Sequence, residues 1–225
     1  MRIKAPIIVM STFVVLALAG TAEAQCGPGC PACSGKFIGD LIPPKTLFFS
    51  GMYIPRGEEE RAVFNLRYGL FSWLDAGIGY AVAAEDGEDE IIWSLRVEPI
   101  AQDPDGWRPG LIFGTGSVQV GGSDQSAFIQ LVKTLELVEE RFEISLVGGY
   151  ATDIPDFEEN WLLATFAMKF YEMVSPFYIY DGINSHVGVS LFPTEWLMLS
   201  GYYLELEEPA VSVGLQWDFG EGGEE

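Results

Sequence analysis

Cys26, Cys30 and Cys33 stand in "CGPGCPAC", the CxxxCxxC spacing with which radical enzymes hold an iron–sulfur cluster. That chemistry needs three thiolates around one cluster and a reducing compartment. In an oxidising compartment the same residues give one disulfide and one leftover thiol, so all three are disulfide candidates. Attachment of haem needs His after the second Cys of a CxxC pair, and Ser34 follows Cys33. His186 is the only histidine and shares strand parity with Ser190, a Ser–His arrangement that could activate a nucleophile. No third orienting group accompanies them, so His186 is expected as a hydrogen-bonding residue of a lumen or rim. No catalytic residue is assigned, and no other His or Cys spacing suits a metal.

Carboxylates are the commonest chemical groups. Asp and Glu number 33 against 12 Lys and Arg, for a formal net charge of −21. Phosphate recognition needs clustered cations, so nucleic acid is excluded as a partner. The acids gather in three clusters: Glu58, Glu59 and Glu60; Glu85, Asp86, Glu88, Asp89 and Glu90; Asp153, Asp156, Glu158 and Glu159. Such runs are solvated loops in the first instance. They could also bridge divalent cations to an anionic lipid surface, or give a channel a negative mouth. No resident cofactor is expected.

High acidity sits beside 48% hydrophobic residues and a mean hydropathy of +0.20. The chain opens "MRIKAPIIVMSTFVVLALAGTAEA", a basic start, an apolar stretch and a small-x-small site. Residues 1–24 therefore read as a bacterial secretory signal peptide. A lipoprotein would need small or Leu residues just before Cys26, where Glu23 and Gln25 stand. Residues 25–44 form a Cys/Gly/Pro-rich N-terminal segment expected in the periplasm. No later stretch reaches the ~20 apolar residues of a membrane helix.

Period-2 alternation recurs instead. "NLRYGLFSWLDAGIGY" is apolar at Leu66, Tyr68 and Leu70, pauses around Trp73, and resumes at Ala76, Ile78 and Tyr80. Similar patterns run over Ile91–Glu98, Arg141–Tyr150, Trp161–Phe170 and Ala210–Phe219. Weaker ones cover Lys45–Ile54, Gly110–Val120, Ala127–Leu135, Ser175–Tyr180, His186–Phe192 and Trp196–Glu205. The opposing faces are small or polar and rich in Gly, as a barrel interior is, and a periplasmic sandwich would need Lys and Glu there. The pattern predicts an all-β fold, a transmembrane antiparallel up-and-down β-barrel of about 12 strands over residues 45–219. A disordered acidic tail, 220–225, follows.

With both termini periplasmic, the acidic links are extracellular. The inward face would carry Arg61, Asn65, Arg67, Asp75 and Arg96, with Glu98, Glu143, Lys169 and Asp218 completing the lumen lining. Trp73, Trp196, Trp217 and Phe219 are the interfacial aromatics. Tyr180-Asp181-Gly182 with Asn184, then Gly188, then Pro193-Thr194 before Trp196-Leu197 and an aromatic-ended last strand, resemble the C-terminal repeats of YjbH-type outer-membrane β-barrels. That resemblance implies an association with exopolysaccharide production or export. The last strand also resembles those read by the barrel-assembly machinery. The expected protein is a bacterial outer-membrane barrel without enzymatic activity, a small passive channel or export-associated barrel in contact with lipid and lipopolysaccharide. The alternatives are a non-conducting structural or assembly barrel and, through His186 and Ser190, a lipid-modifying enzyme.

Overall fold

In the computed structural model the described residues are 41–55, 61–83, 90–118, 120, 124–139 and 141–220. Residues 1–40 lie outside them, and with these the expected signal peptide, Cys26, Cys30 and Cys33. Glu58, Glu59, Glu60, Glu85, Asp86, Glu88 and Asp89 also lie outside, as do residues 221–225 and the side chain of Arg61.

Twelve strands follow one another: β1 Thr46–Ile54, β2 Arg61–Phe71, β3 Leu74–Ala83, β4 Glu90–Ile100, β5 Gly110–Gly116 and β6 Ser126–Val138, then β7 Phe142–Asp153, β8 Asn160–Phe170, β9 Val174–Tyr180, β10 Ser185–Thr194, β11 Leu197–Leu204 and β12 Glu208–Asp218. Each pairs antiparallel with its sequence neighbours, and β1 pairs with β12 from Thr46↔Asp218 to Tyr53↔Val211. The sheet is therefore a closed barrel with no free strand edge. Both chain ends of the barrel lie at one end, here the terminal end; the opposite one is the loop end.

Alternation places the side chains as the sequence predicts. On β2, Val63 is buried while Leu66 faces out; on β3, Asp75, Gly79 and Ala81 are buried while Ile78 and Tyr80 face out. Register aligns Leu66, Ile78 and Trp93 in one row across three strands. Ile78 is 53% exposed, Trp93 51% and Leu162 69%, so no protein core covers this outward surface. A sandwich would hide it. The inward face is instead small and polar, with Ser126, Ser175, Ser190, Ser200 and Ser212 all buried.

Several strand limits differ from expectation, β7 for example running to Asp153 past Tyr150, and two of the differences shape the lumen. β5 ends at Gly116 and does not continue to Val120. Gly116 takes a φ of +142°, a conformation that L side chains disfavour, and the chain beyond it turns into the barrel. β6 runs to Val138, past Leu135. Beyond Val132 it has no partner on β5, and the β4–β5 loop takes that place. Gln102 Oε1 accepts from Thr134 N at 2.9 Å, and Lys133 Nζ donates to the Asp103 carbonyl. A side chain thus replaces a missing ladder bond.

Candidate functional site: the barrel lumen

The lumen is organised around Asp75, whose side chain is fully buried. Register sets Asp75 directly across from Arg96, while Arg67 opposes Gly77, two residues along the same inward face. Both guanidiniums consequently reach one carboxylate. Arg67 Nη2 donates to Asp75 Oδ2 at 2.7 Å; Arg96 donates through Nη2 at 2.7 Å and through Nε to Oδ1 at 3.1 Å. Charged hydrogen bonds of this kind are short and strong, and they satisfy a carboxylate that burial alone would penalise.

A fourth donor comes from outside the sheet. The Ile42 amide gives its proton to Asp75 Oδ2 at 2.7 Å, and the Ile42 side chain is 2% exposed. Leu41 packs on the buried cluster of Ile112, Val132 and Val147. Pro44 bridges Gly69 in parallel, and Lys45 N donates to the Gly69 carbonyl at 2.7 Å. A Cβ at Gly69 would overlap the Pro43 carbonyl, so this approach needs glycine. Within the expected N-terminal segment 25–44, Leu41 and Ile42 reach residues of the barrel interior, while Pro44 is exposed at its end.

The loop end is narrowed by the β5–β6 connection. Val118 packs against the Ala151–Trp161–Leu163 cluster, and Val120 against Ile54, Leu204 and Ala210. Asp181, just after β9, fixes this inserted loop. Its Oδ2 accepts from Val120 N at 3.2 Å and from His186 Nε2 at 2.9 Å; its Oδ1 accepts from Ile183 N at 3.1 Å and Asn184 N at 2.9 Å. Burial acts to raise the Asp181 pKa, but the bonds from His186 and from the amides of Asn184, Ile183 and Val120 outweigh it and hold the carboxyl down to about 2.

Between the two insertions lies a cavity of about 360 Å³, bordered by Asn65, Arg67, Arg96, Gln130, Asp181 and Ser190. Its wall sets hydroxyls, amides and guanidiniums among apolar side chains such as Phe48, Val63, Ile92 and Leu163, and the polar groups suit water and small hydrophilic solutes.

His186 and Ser190 do not pair. His186 Nδ1 accepts from Glu205 N at 3.1 Å, which assigns the ring proton to Nε2 and directs it at Asp181. Ser190 Oγ bonds Ser200 Oγ at 2.8 Å. Both histidine nitrogens are engaged, so no lone pair is available to take a proton from a nucleophile.

The other expected lumen residues are spread along the barrel. Lys169 is buried opposite Glu143 in the β7–β8 register, with its Nζ 5.7 Å from the Phe192 ring centroid. Glu98 stands near Gly110 at the terminal end. Asp218 ends β12, exposed, and accepts from Gly220 N at 2.8 Å. Trp73 is half exposed at the β2–β3 turn and stacks on Phe71, with ring centroids 5.4 Å apart. Trp196 sits at the β10–β11 turn, and Trp217 and Phe219 face out at the terminal end of β12. Glu90 is exposed at the start of β4; Asp156, Glu158 and Glu159 are exposed beyond β7, where Asp153 Oδ1 accepts from Glu159 N at 2.7 Å. Among the described residues no three His, Cys, Asp or Glu side chains are grouped to hold a metal.

The sequence placed Asp75, Arg67 and Arg96 on one face but did not bring Ile42 to them. Its only signal was a pair of apolar residues in "DLIPP". Asp181 was legible as part of a turn, not as the anchor of a different loop.

No protein-family model matches the chain, and no curated protein matches it in sequence. A solved structure titled "KdgM porin" is similar, with a TM-score of 0.50 and 9% identity over 77% of this chain and 99% of that one. At that identity the likeness is one of fold: a porin-like closed barrel.

Proposed function

We propose that the chain is an outer-membrane barrel forming a narrow, passive channel for small hydrophilic solutes, with both termini in the periplasm. The single observation that carries this reading is the cavity of about 360 Å³ inside a barrel whose outer surface is apolar, with Asn65, Arg67, Arg96, Gln130 and Asp181 set among its apolar lining. A barrel serving only as a scaffold gains nothing from leaving its centre unpacked, because close packing is what stabilises an interior. The likeness to a porin agrees with a channel. The rows of outward Leu, Ile and Trp are the surface that lipid would cover, and the acidic β3–β4 and β7–β8 links would face outward from the cell toward lipopolysaccharide, where divalent cations could join the two. Insertion by the barrel-assembly machinery belongs to the same reading.

A second reading rests on the blocked lumen. Leu41 and Ile42 at one end and Val118 and Val120 at the other narrow the lumen, which suits a non-conducting barrel of the kind associated with exopolysaccharide export. Single-channel recording decides between them. The purified, refolded protein is placed in a planar bilayer under a salt gradient. Discrete steps are the expected result. A folded barrel that stays silent, as the native chain and as Ile42→Ser alike, overturns the channel and supports the second reading.

A further inference from the structure

We propose that Leu41–Lys45 is a plug, a segment that docks reversibly in the terminal end of the lumen and closes it. The twelve strands complete their ring without this segment, so its release leaves every strand pair intact. Few contacts hold it: the Ile42–Asp75 hydrogen bond, the Pro44–Gly69 bridge with the Lys45 amide bond, the bonds from Thr46 N to the Pro43 carbonyl and from Phe219 N to the Lys45 carbonyl, and the burial of Leu41 and Ile42. A unit bound so sparsely opens well before the barrel does.

Asp75 makes the docking reversible. It is already paired to Arg67 and Arg96, so undocking withdraws one donor from a carboxylate that keeps its other partners. The departing Ile42 amide is met by water. No buried charge is stranded in either state, which is the cost that would otherwise lock the segment in place. Pro43 and Pro44 restrict the backbone at this point, so the segment enters and leaves as a stiff unit. Gly69 supplies the complementary surface, since only a residue without Cβ admits the Pro43 carbonyl. The chemistry of this inward face therefore fits its occupant, a stretch of this chain.

That the plug regulates flux rests on the channel reading; that it occupies and shields the lumen does not. The test separates the two. In a background with Cys26, Cys30 and Cys33 replaced by Ser, Asn65→Cys on the cavity wall reports access of a small water-soluble maleimide added from the terminal side of reconstituted vesicles. Gly69→Ala, which clashes with the docked segment, and Ile42→Ser, which removes its apolar anchor, are each compared with the unaltered segment. Barrel integrity is verified by faster migration of the unheated protein on a denaturing gel.

The expected result is labelling faster by about tenfold or more in both variants, the size of change that loss of one buried isoleucine produces. Planar-bilayer conductance should rise in parallel. Faster labelling with silent bilayers would uphold the plug and overturn the channel. Unchanged labelling in folded Gly69→Ala and Ile42→Ser would overturn the plug, whatever the conductance.

Discussion

Asp75 concentrates four hydrogen bonds on two oxygens, and its removal is the most damaging single change to the lumen. Asp75→Ala leaves two guanidiniums in the wall without their shared anion and should cost about 3–5 kcal/mol, read as a lower urea midpoint of the barrel refolded in detergent or vesicles. A loss below about 1 kcal/mol would mean that water already solvates both arginines. Asp181 acts at the other end and through pH. Its folded carboxyl, at about 2, lies below its ordinary value of 3.8, so it adds stability above that value and loses it as pH falls from about 4 toward 2. A spin label at Asp124→Cys, on the loop that Val120 anchors, should stay immobile near neutral pH and become mobile over that acid range. In Asp181→Asn the acid step should be absent.

The strands show what a sequence can and cannot specify. Where lipid is to cover one face and a small polar lumen the other, apolar and small residues alternate without interruption, and β2, β3, β4, β7, β8 and β12 were legible for that reason. Ile78, in the middle of β3 and 53% exposed, belongs to the outward row. Ile78→Arg should destabilise the barrel in lipid by about 2–4 kcal/mol, measured by denaturant unfolding in vesicles. An equal change at inward Ser94 should cost less, because it meets a polar wall. Periodicity was silent on depth and on insertion. Nothing in "GSVQV" distinguishes residues that continue a strand from residues that turn into a lumen; the φ of Gly116 and the packing of Val118 on Ala151, Trp161 and Leu163 decide it. The excess length of β6 is paired with β7 alone, and on its other side the side chain of Gln102 takes the place of a strand at Thr134, a partner that alternation does not announce.

For the molecule as a whole, the outside follows from the sheet and the inside from what the connections insert into it. The apolar outer surface and the ring of twelve strands are one consequence of alternation. Under the channel reading proposed above, passage of solute would be governed by Leu41 and Ile42 at one end and Val118 and Val120 at the other, residues that make up little of the chain. The pairing of β1 with β12, together with the hydrogen bond of Phe219 N to the Lys45 carbonyl at 3.0 Å, has a further meaning. The seam where the chain begins and ends is hydrogen-bonded like any other junction, so the wall is a loop in the topologist's sense and has no intrinsic starting point. Only the segment that precedes β1 marks where the polypeptide begins. The wall is thereby indifferent to circular permutation, while the docking of Leu41 and Ile42 inside it is not.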